Sequence, residues 1–161
     1  MNRLFTFIVF IIIASILFPS DKIIAQDRGN GFGLGIIAGE PTGISAQKWM
    51  SDENALAAAA AWSFSGRTSF NFHVDYQFYN FNLVQADRGE LSFYWGVGAR
   101  SLIQEKRNGN DLILGARIPV GLNYHIEDTP LAAFVEVVPK LNLFPDTKFD
   151  IGGGIGIRYF F

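Results

Sequence analysis

The sequence contains no cysteine, which excludes disulfides, thiol catalysis, cysteine zinc ligands and lipid attachment at a cysteine. Its only two histidines are His73 and His125, so a histidine-rich metal site is not expected. The 13 basic and 15 acidic residues nearly cancel. A nucleic-acid binder needs a concentrated basic surface, and this balance argues against one. From these absences we expect no metal, no cofactor and no nucleic-acid partner.

Catalytic motifs are also missing from the sequence. Ser63, Ser65 or Ser69 can be imagined in a triad with His73 and Asp75, but no nucleophile motif surrounds them. Glycine-rich runs at 31–35 and 152–156 lie inside predicted strands, without the turn and helix that phosphate binding requires. We therefore expect no catalytic residue and no enzymatic activity.

A long hydrophobic run occurs only at the start of the chain, from Leu4 to Phe18. It is shorter than the roughly 20 residues that a spanning helix needs. Arg3 precedes the run, and a polar stretch follows Ala25. This arrangement predicts a secretory signal peptide over residues 1–25, cleaved after Ala25. Residues 26–30 then form a short N-terminal segment, and residues 31–161 form one domain.

Glycine and aromatic residues are abundant, with 17 Gly and 16 Phe. From residue 31 onward, apolar residues alternate with other residues, and turn-forming clusters recur between the alternating runs. This pattern is typical of an all-β barrel or sandwich. The alanine run Ala57–Ala61 has helix propensity, but its alternating context favours a strand. We predict eight strands, over residues 31–39, 43–50, 55–64, 68–79, 90–102, 111–126, 131–143 and 148–161.

The two faces of these strands differ in polarity. One face is apolar and nearly free of charge, and the other mixes glycine with isolated charged residues. A solvated outer face normally carries dense charge, so the polar face is better interpreted as a narrow lumen, and the apolar face as a lipid contact. The sequence therefore predicts an all-β, eight-stranded antiparallel up-and-down transmembrane barrel. Lys48 falls on the apolar face, and we expect it to snorkel at a rim. Aromatics expected to form interfacial girdles are Trp49, Trp62, Phe70, Phe78, Phe93, Trp95, Tyr124 and Tyr159.

The last residues resemble the C-terminal insertion signal of bacterial outer-membrane barrels, with Ile155, Ile157, Tyr159 and Phe161 at its alternating positions. The mature chain resembles the small barrels of the OmpA and OmpX type. Segments 39–43 and 117–124 are also similar to an uncharacterised family of small bacterial barrels. The resemblance implies a monomer in outer-membrane lipid that is inserted by the barrel-assembly machinery. It also implies periplasmic chain ends and extracellular connections at 40–43, 65–67, 104–110 and 144–147. These connections are short, which disfavours the protruding adhesive sheet of OmpX-like barrels.

Charged residues on the lumen face are the candidates for a functional site. A three-residue turn at Pro145–Thr147 places Phe134 opposite Arg158 and makes Glu136 its diagonal neighbour, so we expect an ion pair between Glu136 and Arg158. The first hypothesis is a structural or envelope-interaction role with a filled lumen. A small gated, porin-like channel and a soluble lipocalin-like carrier remain as alternatives. The predicted lumen polar cluster comprises Asp75, Arg100, Arg117, Glu136 and Arg158.

Overall fold

The computed structural model describes residues 31–39, 42–63, 69–84, 89–106 and 109–161. The predicted signal peptide, the segment 26–30, the connection at 65–67 and parts of the connections at 40–43 and 104–110 lie outside these residues. The described part of the chain contains no helix that is both long and apolar enough to cross a bilayer.

The described residues form nine β-strands. Alternating residues along each strand suit a pleated sheet with two different faces, because successive side chains point to opposite sides. The strands are β1 (Phe32–Gly39), β2 (Gly43–Trp49), β3 (Asn54–Ser63), β4 (Ser69–Val84), β5 (Glu90–Lys106), β6 (Gly109–Arg117), β7 (Val120–His125), β8 (Leu131–Phe144) and β9 (Lys148–Phe160).

The strands close into a ring in which every described pairing is antiparallel. Each strand from β1 to β5 pairs with the next, β8 pairs with β9, and β9 returns to β1. Both β6 and β7 lie between β5 and β8, so the nine strands occupy eight places around the ring. The eight-stranded antiparallel barrel predicted from the sequence is confirmed.

The break between β6 and β7 falls at Ile118 and Pro119, inside one predicted strand. Proline has no backbone N–H and cannot donate to the ladder. Hydrogen bonds continue on both sides of the break, since Gly96 N donates to Pro119 O at 2.9 Å and Ile118 N donates to Pro139 O at 3.0 Å. The interruption is therefore local and leaves the barrel wall closed.

Most strand boundaries agree with the sequence prediction, and the alanine run is indeed part of a strand, β3. Two strands are longer than predicted: β4 continues to Val84 and β5 continues to Lys106. The wall is thus extended beyond the predicted ends of these strands.

Large apolar side chains cover the outer face of the barrel. Leu114, Ile118 and Val135 are 43%, 49% and 47% exposed. Lys48 is also on this face, next to the end of β2. Two cross-strand aromatic pairs, Trp62–Phe70 and Phe78–Trp95, stand eight residues apart along β4. With a strand rise of 3.4 Å and a tilt near 40°, that separation spans about 20 Å along the barrel axis, close to the height of an outer-membrane apolar band.

Trp49 does not join these outer aromatics, contrary to the sequence prediction. Its side chain is only 3% exposed and points inside the barrel. Strand alternation explains the difference, because the neighbouring Lys48 is outward and Trp49 must then be inward. The buried hydrophobic cluster inside the ring consists of Ile37, Trp49, Ala55, Ala59, Tyr79, Tyr94 and Phe134.

Candidate functional site

The barrel interior has a different chemistry at each level. We call the end where β1 begins and β9 finishes the terminal end, and the opposite end the open end. A terminal plug of aromatic rings is followed by a middle layer of charged groups and then by a cavity at the open end. The terminal plug consists of Trp49, Tyr79, Phe81, His125 and Phe160.

Rings of the terminal plug pack directly on one another. Trp49 and Tyr79 have their ring centroids 4.6 Å apart, and His125 and Phe160 have theirs 5.4 Å apart. Tyr79 also stacks on Tyr94 at 5.1 Å, which joins the plug to the middle layer. Aromatic contacts of this kind contribute beyond the area that they bury. The packed rings therefore obstruct the lumen at this end.

Arg117 is the centre of the middle layer. Its Nε lies 3.1 Å from Asp75 Oδ1, and its Nη2 donates to Glu136 Oε1 at 3.0 Å. Tyr94 Oη donates to the other oxygen of Glu136 at 2.8 Å. His73 Nε2 is 3.7 Å from Asp75 Oδ2. Buried charges are tolerated when they are paired in this way, so the layer ties β4, β5, β6 and β8 together across the lumen.

Arg158 has neutral partners in the described structure. Its Nε donates to Ser45 Oγ at 2.9 Å and its Nη1 donates to Gln47 Oε1 at 2.7 Å. The guanidinium also lies over the Phe134 ring, 3.8 Å from the ring centroid. These contacts replace the predicted ion pair between Arg158 and Glu136. Arg158 therefore fastens β9 to β2 and β8 through hydrogen bonds and a cation–π contact.

The predicted ion pair was wrong because the predicted register of β8 and β9 was two residues out. Asn142, not Phe144, lies opposite Lys148, and Ala132, not Phe134, lies opposite Arg158. Phe144 instead pairs with Leu114 across the β6–β8 ladder. The connection is thus longer than a three-residue turn. A longer turn shifts every cross-strand neighbour while leaving each side chain on its predicted face.

Glycines supply the room that the large lumen side chains occupy. A Cβ added to Gly121 would lie 2.7 Å from Tyr94 Cζ, and one added to Gly33 would lie 2.8 Å from Phe160 Cε1. One added to Gly98 would collide with the Asp75 carboxylate. The glycine-rich runs thus have a packing role in the wall.

Arg100 lies toward the open end, opposite His73 in the β4–β5 ladder. It is 7% exposed and lines a cavity of about 440 Å³ together with Lys140. Lys140 Nζ is 3.3 Å from Asp150 Oδ2. The structure thus brings Asp75, Arg117 and Glu136 into direct contact, whereas Arg158 contacts other residues and Arg100 lines the cavity. Among the described residues, no cluster of three or more His, Asp or Glu side chains could hold a metal ion.

Sequence reasoning did not identify Tyr94, Ser45 or Gln47 as partners of the lumen charges. Tyr94 lies six residues before Arg100 in β5 and is therefore on the same face, but its contact with Glu136 depends on the register between strands. Ser45 and Gln47 are inward because Lys48 is outward, and the same alternation was available in the sequence. The alternation of side chains along β2 therefore indicates from the sequence alone that Ser45 and Gln47 face the lumen.

Comparisons with known proteins bear on the fold. No family model matches the sequence, and no curated protein matches it. The structure is similar to the crystal structure of the N-terminal β-barrel domain of OprF from Pseudomonas aeruginosa, with a TM-score of 0.63 and 14% sequence identity. The match covers 82% of this chain and 98% of that domain. The chain therefore has the same fold as that small β-barrel domain.

Proposed function

We propose that this protein is an integral barrel of the bacterial outer membrane with a structural or envelope-interaction role and a side-chain-filled lumen. The observation that carries the proposal is the inside-out distribution of polarity. Ile36 and Ile155 are 64% and 62% exposed on the wall, whereas Arg117 and Glu136 are 3% and 5% exposed inside. Hydrocarbon suits the wall, and a closed ring leaves no unpaired sheet edge in it. The proposal includes no enzymatic activity.

A soluble lipocalin-like carrier requires the opposite arrangement. Such a cup binds its ligand against apolar side chains that point inward. Here Leu114, Ile118, Val120 and Val135 point outward, and charged groups occupy the interior. The outward positions of these four side chains therefore argue against a water-soluble cup.

Cell fractionation with heat-modifiable gel migration tests the location. The full chain, expressed in a Gram-negative host, is expected in the outer-membrane fraction. Unboiled samples should migrate differently from boiled ones, because a folded barrel resists detergent until it is heated. Recovery of a folded chain in the soluble periplasmic fraction would reject the proposal.

The barrel-assembly machinery is the partner proposed for insertion, and β9 is the strand that we propose it recognises. Ile157, Tyr159 and Phe161 are all on the outer face at the end of the chain. Phe161→Ala should lower the amount of barrel in the membrane, while Phe149→Ala, at the other end of β9, should lower it much less. Equal losses from the two changes would argue against a special role for the C-terminal residue.

A small gated channel is the second candidate function. Two observations favour it: the lumen has a cavity at one end, and ion pairs of Arg117 occupy its middle layer. The packed terminal plug opposes a permanent pore. In planar bilayers the protein is expected to be silent or to open rarely, and Glu136→Gln should raise the opening frequency. If Glu136→Gln shows no more openings in planar bilayers than the unchanged protein, the channel is rejected.

A further inference from the structure

Three aromatic side chains inside the barrel, those of Trp49, Tyr79 and Tyr94, form a continuous row that we call the aromatic chain. The ring centroids of Trp49 and Tyr79 are 4.6 Å apart, and those of Tyr79 and Tyr94 are 5.1 Å apart. The protein has no cysteine, so tryptophan and tyrosine are its side chains that most readily lose a single electron. Rings in direct contact allow an electron to pass from one to the next. The row is therefore a path for an electron as well as a packed plug.

The aromatic chain is shielded from water along its whole length. Trp49, Tyr79 and Tyr94 are 3%, 5% and 0% exposed. The other two tryptophans, Trp62 and Trp95, are 50% and 46% exposed on the outer wall. A radical formed on a ring of the aromatic chain is kept away from dissolved solutes, and its nearest reaction partner is the next ring.

The two tyrosines of the aromatic chain differ in the group that accepts their hydroxyl proton. A tyrosine that loses an electron also loses its phenolic proton, because the oxidised ring makes the hydroxyl a strong acid. Tyr94 Oη donates to Glu136 Oε2 at 2.8 Å, which is within the reach of a positioned general base. Tyr79 Oη is 3.2 Å from Gln47 Oε1 and 3.0 Å from Gln77 Oε1, and an amide is a far weaker base than a carboxylate. Tyr94 is therefore the favoured position for the radical.

The middle layer can accept the proton of Tyr94 without leaving a buried cation unpaired. Protonation of Glu136 weakens its ion pair with Arg117, in which Nη2 is 3.0 Å from Oε1. Arg117 Nε also lies 3.1 Å from Asp75 Oδ1, so a second carboxylate still compensates its charge. The ion pairs around Arg117 are thus compatible with a neutral Glu136.

We propose that the aromatic chain carries a one-electron oxidation from Trp49 to Tyr94, with Glu136 as the proton acceptor. The oxidant is a one-electron oxidant such as a peroxyl radical, which gains the electron and becomes a hydroperoxide anion. Trp49 supplies this electron and regains one from Tyr94 through Tyr79. Tyr94 ends as a neutral tyrosyl radical, and its proton is on Glu136. The inference goes beyond the proposed structural role and does not depend on it.

The test is flash photolysis of the full-length chain, folded in detergent micelles, with Trp62→Phe and Trp95→Phe introduced so that Trp49 is the only tryptophan. A light pulse that ionises tryptophan replaces the chemical oxidant. The absorption of the tryptophan radical should decay while that of a tyrosyl radical appears. The decay should be slower in heavy water, because a proton moves together with the electron. Equal decay in light and heavy water would contradict proton transfer to Glu136.

Three further changes in that background identify the path, each first checked for heat-modifiable migration. Tyr94→Phe should slow the decay of the tryptophan radical several-fold. Glu136→Gln keeps all three rings and should slow tyrosyl formation by about 100-fold, the lower end of what a positioned base contributes. Tyr159→Phe is the matched control, because it removes a tyrosine that is 47% exposed on the outer face. It should change neither rate.

Equal decay of the tryptophan radical in Tyr94→Phe and Tyr159→Phe would overturn the proposal. An unchanged rate of tyrosyl formation in Glu136→Gln would also overturn it. If one of the variants Tyr94→Phe and Glu136→Gln does not fold, the other decides.

Discussion

At the scale of single residues, two buried arginines show that the lumen accommodates the same charge in two different ways. Arg117 and Arg158 are each 3% exposed. Arg117 is held by the carboxylates of Asp75 and Glu136, whereas Arg158 is held by neutral oxygens and an aromatic ring. Removing one partner of a buried ion pair leaves an uncompensated charge, while removing a charge with neutral partners leaves none. The two positions should therefore respond unequally to the same change.

We expect Arg117→Met to lower the free energy of unfolding by about 3–5 kcal/mol, because two desolvated carboxylates are left without their cation. Arg158→Met is the matched control. It should cost about 1–3 kcal/mol, the penalty for leaving Ser45 and Gln47 without a donor. Urea unfolding in lipid vesicles measures both values. A larger loss from Arg158→Met would contradict this account of the middle layer.

The fit between a bulky side chain on one strand and a glycine on the next organises the barrel at the scale of the element. Tyr94 on β5 occupies the space above Gly121 on β7, and this position lets its hydroxyl reach Glu136 on β8. One glycine thus supports contacts that involve three strands.

Gly121→Ala is expected to destabilise the barrel by about 1–3 kcal/mol, because the added methyl would meet both the backbone carbonyl oxygen of Val135 and the ring of Tyr94. Gly31→Ala is the control, since a Cβ there would make ordinary contacts at 3.5 Å with Trp49 and 3.6 Å with Phe160. It should be close to neutral. Thermal or urea unfolding compares the two, and equal destabilisation would reject the proposed fit.

The sequence predicts which face of the sheet each side chain is on better than it predicts the cross-strand neighbours of that side chain. Side-chain alternation depends only on the strand itself. Asp75, Arg117 and Glu136, which this alternation assigns to the lumen face, are buried in the structure. Cross-strand contacts also depend on turn length, and the turn between β8 and β9 was predicted too short. That single error led to the prediction of an ion pair between Arg158 and Glu136, which instead contact other residues. The cavity at the open end could not be predicted from the sequence for the same reason, because its shape depends on the register of several strands at once.

The decisive feature at the scale of the whole molecule is the solvent that bathes the wall. Val137 and Leu143 are both 57% exposed on the outer face of β8, yet Val137 is in the middle of the strand and Leu143 is close to its open end. In water the two positions would be equivalent. In a bilayer they differ in depth, and the cost of a charge depends on depth.

Val137→Arg should therefore destabilise the barrel by about 2–4 kcal/mol in lipid vesicles, and Leu143→Arg by about 0–1 kcal/mol. Both values follow from urea unfolding of the refolded protein. Similar, small losses at the two positions would show that the apolar wall does not face hydrocarbon, and the membrane proposal would fail with it.

Ring closure has a consequence for the order of events during biogenesis. The seam is made by β1 and β9, and Phe161 N donates to Phe32 O at 2.9 Å across it. Because these strands are far apart in the chain, the first of them exposes a bare edge until the last has been delivered. Bare edges recruit other chains. The time that passes before β9 pairs with β1 thus determines how much of the chain assembles and how much aggregates. Anything that delays β9 lengthens the time during which the edge of β1 is unpaired.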